Sequence, residues 1–183
     1  MGASHVQTLA AGVPAAQVTR VFDMDTARAT SVAEPVGAQV ADSAESLIAD
    51  PEVDAIVIAS PDFTHADLAV AAIAAGKHVL CEKPLAVTAE EAHKVVEAEL
   101  AAGRQLVQVG FNRRFDPGFR DLKGSVVDGT LGDVRLVHGV HRNATNLTST
   151  GSSTLVPGSM IHEFDTFRWL LGDEIVGIRV ESP

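Results

Sequence analysis

The stretch Asp54–Cys81, DAIVIASPDFTHADLAVAAIAAGKHVLC, decides the fold class. Ala55–Ala59 is a short β-branched run and reads as a strand. Ser60-Pro-Asp-Phe-Thr64 reads as a turn, in which Pro61 removes a backbone donor and Thr64 is placed to cap the helix behind it. His65–Ala75 is alanine-rich and of helical length, and Gly76 is its stop signal. His78–Cys81 is a second apolar strand. Strand, helix and strand in this order form a right-handed βαβ unit, which requires a parallel sheet.

The same alternation continues in both directions. Toward the amino end, Val18–Phe22 is a strand, Asp25–Glu34 a helix, Val36–Val40 a short strand, and Ala44–Ile48 a helix closed by Asp50-Pro51. Toward the carboxyl end, the helix Ala89–Ala102 is stopped by Gly103 and leads to the strand Gln105–Val109. Repeated βα units give a doubly wound α/β fold. Near Gly110 the composition changes. Of 27 alanines, 26 lie in residues 1–102, whereas Phe111, Phe115, Phe119, Phe164, Phe167 and Trp169 all follow. Small alanines let helices lie close on a sheet, and aromatics fill wider spaces, so two differently built regions meet there. Beyond that point a helix opens at Asp116-Pro117 and runs to about Asp128, a turn spans Gly129–Gly132, and Val134–His141 reads as a strand. A polar loop at Asn143–Ser153, a helix at Ser159–Leu171 and a strand at Ile175–Val180 follow. Two helices and two strands are too few to close a core of their own.

Composition narrows the functions. Lys+Arg number 14 against 24 Asp+Glu, a net charge of −10 that disfavours a nucleic-acid reader. With 46% hydrophobic and 21% charged residues the chain buries a core rather than staying disordered. Its apolar runs fall far short of the roughly 20 residues of a membrane helix. Met1–His5 has neither a basic nor an apolar signal segment, and the single Cys81 forms no internal disulfide. A cytoplasmic protein with no nucleic-acid or membrane partner is the expectation.

In a doubly wound sheet, ligands sit beyond the carboxyl ends of the strands, so the residues just after each strand are the candidates. Asp23 follows the first strand. A carboxylate there takes both hydroxyls of an adenosine ribose and repels a 2′-phosphate, favouring NAD over NADP; the competing reading is a turn-forming or helix-capping Asp. Ser60 and Pro61 follow the central strand. Glu82-Lys83-Pro84 follows the next, where an ammonium beside a proline is placed to deprotonate a substrate hydroxyl; the competing reading is a solvated pair with Glu82.

Four spaced motifs decide between these readings. Ser60-Pro-x-x-x-His65, Gly76-Lys-His-Val-x-Cys-Glu-Lys-Pro-Leu85, Gly110-Phe-Asn-Arg-Arg-Phe-Asp116, and Ile161-His-Glu-Phe-Asp165 with Trp169-Leu-Leu-Gly172 appear in order. Together they resemble the Gfo/Idh/MocA family of NAD(P)-dependent oxidoreductases. His141-Arg-Asn143 is most similar to its myo-inositol 2-dehydrogenase branch. The resemblance implies a Rossmann domain over residues 1–110 and, over 111–183, the first part of an α/β substrate domain with a large open sheet. It implies NAD as cofactor, a polyol or sugar as substrate, and Lys83 with His162 as the catalytic pair. Gly2, Asp23, Ser60, Pro61, His65, Glu82 and Lys83 would line the cofactor, and Arg113, Asn143 and Asp165 the substrate. His162 and Asp165, three apart on one helix face, allow the carboxylate to orient the imidazole.

The chain departs from the family pattern in three places. Met1-Gly2 matches only the last glycine of the G-x-G-x-x-G turn, so the first strand and the pyrophosphate cradle are not found. The expectation is that the chain is truncated at both ends and by itself binds NAD poorly. The family's large sheet, which carries its substrate floor and homo-oligomer face, continues past Pro183. Gly158 stands where the family often has an Asp four residues before the catalytic His. The rival to the enzyme reading is a catalytically inactive relic or binding module of the same fold. No metal site is expected, because His138, His141 and His162 lack zinc-site spacing and there is no second cysteine.

Overall fold

A computed structural model of the chain describes residues 1–141, 156–179 and 181. The chain folds as two compact units, Met1–Gly110 and Phe111–Pro183.

The first unit alternates helices and strands. Helix α1 (Gly2–Gly12) is followed by β1 (Arg20–Val21), α2 (Thr26–Ala33), β2 (Gln39–Val40) and α3 (Ala44–Ala49). Then come β3 (Ala55–Ile58), α4 (His65–Ala74), β4 (His78–Cys81), α5 (Ala89–Ala102) and β5 (Val107–Val109). Local chemistry sets the boundaries. The Asp25 carboxylate accepts the N–H groups of Ala27 and Arg28 at the start of α2. Thr88 and Glu91 form a capping box at the start of α5, and Gly103, at φ 64°, closes that helix in the left-handed region.

Every ladder among the described residues is parallel. β1 pairs with β2, and β3, β4 and β5 form a second sheet in that order. The βαβ reading of Asp54–Cys81 is therefore met. Among the described residues, β1 and β3 each have a ladder partner on one side only. The first two strands are also shorter than expected, with two residues each against Val18–Phe22 and Val36–Val40. Pro35 opens a 3-10 turn over Glu34–Val36 and Gly37 follows at φ 70°, so Val36 is spent in the turn rather than the ladder.

The core lies between α4, α5 and the second sheet. α4 buries Ala66, Ala69, Ala72 and Ile73, and the sheet contributes Ile56, Ile58, Val79 and Cys81, joined by Val95 of α5 and Leu106. Ala69 and Ala72 are fully buried, and their single methyl groups set how closely α4 approaches the strands. Filling this layer stabilises the unit by about 1.5–3 kcal/mol for each large side chain.

In the second unit a 3-10 turn (Asn112–Phe115) leads into α6 (Pro117–Val127), with Pro117 at its first position and the Asp116 carboxylate capping it through the Phe119 N–H. A π-helical turn (Val156–Met160) precedes α7 (Ile161–Leu171), which Gly172 closes at φ 69°. Ser159 and Met160, expected as the start of this helix, belong to the π turn. α6 and α7 pack together, and Lys123 Nζ donates to the Leu170 carbonyl at 3.1 Å. Val134–His141 and 175–179, both expected as strands, carry no ladder in the structure. β-propensity alone does not make a strand, and among the described residues neither segment has a β-ladder partner. Val180 lies outside those residues. No described helix is long and apolar enough to cross a membrane.

Candidate active site

In the first unit the register aligns Ile58, Cys81 and Val109. The turns that follow, at Ser60-Pro61, Glu82-Lys83-Pro84 and Gly110, therefore share the carboxyl edge of the sheet. Gly2 reaches the same edge, since a Cβ built on it would lie 3.8 Å from the Ala59 Cβ.

His65 ties two of these turns together. It is 1% exposed, with Nδ1 2.7 Å from the Pro84 carbonyl and Nε2 2.9 Å from the Ser60 carbonyl. Both partners are acceptors, so each neutral tautomer donates to one turn or the other. Both ring nitrogens thus face backbone, and His65 braces the site from beneath. Thr64, expected to cap α4, makes no side-chain cap bond there. Its hydroxyl donates to the Pro61 carbonyl at 2.7 Å, so across the 2.6 Å contact with Ser60 it is Ser60 that donates. The Ser60 hydroxyl is left with acceptor capacity.

Glu82 is held by His5, and Gly110 leaves it room. His5 Nε2, on α1, lies 2.7 Å from Glu82 Oε1. A Cβ on Gly110 would stand 3.3 Å from Glu82 Oε2 and 3.4 Å from the Cys81 carbonyl, so the close passage of β5 favours glycine. His5 was passed over in the sequence, where nothing in its spacing ties it to a residue 77 positions away. Cys81, behind this edge, is pushed up to about 12 by burial, with the charges of Glu82 and Asp62 adding to the effect. It stays a thiol and does not act as a nucleophile. At the end of β1, Asp23 Oδ1 accepts the Asp25 N–H at 2.9 Å and Arg28 reaches both Asp23 oxygens at 3.3–3.4 Å. Asp23 is 32% exposed and keeps a carboxylate face toward solvent.

The second unit gathers its polar residues around Glu163. Arg113 Nη1 is 2.7 Å from Glu163 Oε1, and His141 Nδ1 lies 3.1 and 3.2 Å from the two carboxylate oxygens. Burial works to raise the Glu163 carboxyl, but the hydrogen bonds and charges of Arg113 and His141 outweigh it and hold the group below its usual range. The Arg113 guanidinium also lies 5.5 Å from the centre of the Phe119 ring. His162 meets Phe111 edge-on and His141 at a tilt, each with ring centres 6.5 Å apart. Asp165, 7% exposed, receives Arg114 Nε at 3.0 Å and Nη2 at 2.5 Å on its two oxygens. A two-pronged guanidinium therefore engages both oxygens of the Asp165 carboxylate.

The sequence model of the Gfo/Idh/MocA oxidoreductases, described as an oxidoreductase family with an NAD-binding Rossmann fold, matches residues 1–111. The chain belongs to this family. Among curated Gfo/Idh/MocA relatives, inositol 2-dehydrogenase 2 of Saccharopolyspora erythraea is 48% identical over 184 residues, covering 100% of this chain and 54% of that protein. Inositol 2-dehydrogenase of Rubrobacter xylanophilus is 46% identical, covering 100% of this chain and 52% of its own length. The chain spans about half the length of the curated relatives it matches. The crystal structure of myo-inositol dehydrogenase from Lactobacillus casei in complex with NAD(H) and myo-inositol superposes with a TM-score of 0.89 at 33% identity, over 95% of this chain and 52% of that one.

Of the residues assigned through the Gfo/Idh/MocA resemblance, Gly2, Ser60, Pro61, His65, Glu82 and Lys83 stand at or beneath one sheet edge of the first unit. Asp23 stands at the end of the other sheet. Arg113, His162 and Asp165 lie in the second unit, and Asn143 lies outside the described residues. Glu163, Arg114 and His141 were not assigned. Glu163 sits inside the Ile161–Asp165 motif, and its signal was the placement of an acidic residue directly after the motif histidine.

Proposed function

We propose that this chain carries the cofactor edge and part of the substrate site of an NAD-dependent dehydrogenase that oxidises a secondary alcohol of an inositol-like polyol. The observation that carries the reading is the shared strand-end edge where Ser60-Pro61 and Glu82-Lys83-Pro84 are braced by His65. Relatives at 46–48% identity that bear the inositol 2-dehydrogenase name support the choice of substrate. The residues present fit the cofactor's chemistry. Asp23 offers a part-exposed carboxylate to a ribose diol, and Ser60 offers an acceptor at the strand edge. NAD, when bound, supplies the hydride acceptor.

Lys83 takes the hydroxyl proton of the substrate as the C–H bond breaks, and His162 passes that proton outward. Glu82, held by His5, keeps a carboxylate next to Lys83 in the chain. In the second unit, Arg113 and His141 are positioned by Glu163, so the hydroxyl groups of a polyol meet donors whose directions are already set.

The test is a polyol and sugar panel with NAD on the whole protein, following NADH formation, together with Lys83→Met. Oxidation of myo-inositol that falls by about 10²–10⁴-fold in the variant is the expected result. Activity confined to an unrelated sugar discards the inositol branch, and full activity in the variant discards Lys83 as the base.

A further inference from the structure

Helix α1 meets the carboxyl edge of the second sheet with one face. Gly2 and His5 lie three apart in the chain and share that face. Gly2 sits against Ala59 at the end of β3, and His5 reaches the turn after β4, where its Nε2 is 2.7 Å from Glu82 Oε1. A carboxylate only accepts, so Nε2 carries the hydrogen and donates it. The His5 and Glu82 side chains are 27% and 15% exposed, so water competes weakly for the bond. α1 buries none of its residues, and its hold on the edge depends on contacts of this kind.

The same bond bears on the lysine next in the chain. At Glu82 the N–H donates to the Ile58 carbonyl at 2.9 Å, the carbonyl receives the Cys81 thiol at 3.3 Å, and the carboxylate is held by His5. At Pro84 the carbonyl is 2.7 Å from His65 Nδ1. Lys83 therefore starts from a backbone whose neighbours are engaged on both sides. We propose that His5 is a positioning residue for Lys83, acting through Glu82, and that it makes the aim of the lysine depend on the seating of α1. The proposal rests on the reading above that Lys83 is the base. Without His5 the Glu82 carboxylate is no longer drawn toward α1 and can swing toward the neighbouring ammonium. A group displaced by about 1 Å from its working position costs on the order of a hundredfold in rate.

The test compares the whole protein with His5→Leu and His5→Gln in three measurements. In the oxidation of myo-inositol with NAD, His5→Leu is expected to lower kcat by about ten- to a hundredfold while the KM values for polyol and NAD stay within about threefold. His5→Gln, whose amide nitrogen reaches about as far as Nε2, is expected to recover most of the rate. The second measurement needs no turnover: acylation of Lys83 by a limiting amine reagent, read by mass spectrometry against the exposed Lys94. His5→Leu should shift that ratio several-fold, and His5→Gln should leave it in place. The third, labelling of the buried Cys81, should stay slow in both variants. An unchanged ratio or an unchanged kcat overturns the proposal, and a raised KM for NAD alone would leave His5 as a seat for α1 only. A shifted ratio with fast Cys81 labelling overturns it too, because the sheet has then opened. In a Glu82→Ala background His5→Leu should add nothing, and a further loss there means that His5 does not act through Glu82. If wild type oxidises no polyol and the ratio still shifts, the link from His5 to Lys83 stands and the polyol reading falls.

Discussion

In the first unit the turns after β3 and β4 are tied through a buried imidazole to backbone carbonyls, whereas in the second the arginines of the Asn112–Phe115 turn are tied to carboxylates of α7. The first arrangement rests on packing. Its braces are buried behind a layer of Ile, Val and Ala side chains, so its integrity depends on that layer. The second rests on charge, with Asp165 nearly buried and Glu163 held below its usual range by cations. One unit should therefore respond to lost volume and the other to lost charge. The chain carries a reporter for each. Cys81, the one cysteine, is fully buried in the first unit, and Trp169, the one tryptophan, lies on α7 in the second.

The largest effect is expected from Ile58→Ala. Ile58 is 3% exposed and faces α4, and truncating a buried isoleucine costs about 2–5 kcal/mol. Labelling of Cys81 by a thiol reagent near neutral pH proceeds only through opening, because burial keeps the group a thiol. It should speed up by about thirtyfold or more. The unfolding midpoint read by Trp169 fluorescence should stay in place. If both reporters move together, the two units share one cooperative transition and the contrast between them fails.

Arg114→Leu comes next. It leaves the Asp165 carboxylate buried and unpaired, which costs about 3 kcal/mol, at the low end for a buried pair because the Arg114 side chain is 43% exposed. The Trp169 midpoint should fall while Cys81 labelling stays slow. Replacing both partners, Arg114→Leu with Asp165→Leu, should recover most of the loss, since no charge is then left alone. If the double variant is no better than the single one, shape rather than charge holds α7 against the Asn112–Phe115 turn.

The same contrast explains what the sequence could be made to say. The βαβ unit of Asp54–Cys81 was legible because its strands, its helix and the stop at Gly76 are local signals that agree with the global fold. The placement of Ser60, Glu82 and Lys83 just after β3 and β4 was legible because the strand boundaries are local signals. Partners were not legible. His5 meets Glu82 across 77 positions and Arg114 meets Asp165 across 51, and no periodicity within one element carries such distances. His65 is placed at the cofactor only through the Gfo/Idh/MocA resemblance, and the structure shows both its nitrogens turned to backbone carbonyls. Val134–His141 was read as a strand from its composition, which does not specify a ladder partner.

A smaller effect follows from pH. The Glu163 carboxyl is lowered in the folded protein from its ordinary value of 4.5, because Arg113 and His141 outweigh the cost of burial. A depressed carboxylate adds stability that is present above its unfolded value and is lost as pH falls through the folded one. Above about pH 5, wild type should therefore be more stable than Glu163→Gln by the Trp169 reporter, and the difference should close as the solution is taken below 4.5. Cys81 labelling should show no such dependence on this substitution. A difference that persists at low pH would mean that Glu163 works by packing, which would bring the second unit closer to the first.

The smallest effect tests whether packing matters at all in the second unit. A Cβ on Gly139 would stand 2.9 Å from Phe167 Cζ on α7, closer than side chains approach one another. The atom it meets is the tip of a half-buried ring, which has room to tilt, so the strain of Gly139→Ala belongs at the low end of overpacking, near 1 kcal/mol. Losing a glycine also restricts the unfolded chain, which returns about 0.4–1 kcal/mol where alanine fits the native backbone. The two terms oppose each other and are similar in size. A net change within about 1 kcal/mol is expected at the Trp169 midpoint. A loss well beyond that would mean that Phe167 is as tightly boxed as Ile58, and the second unit would then depend on volume as well as on charge.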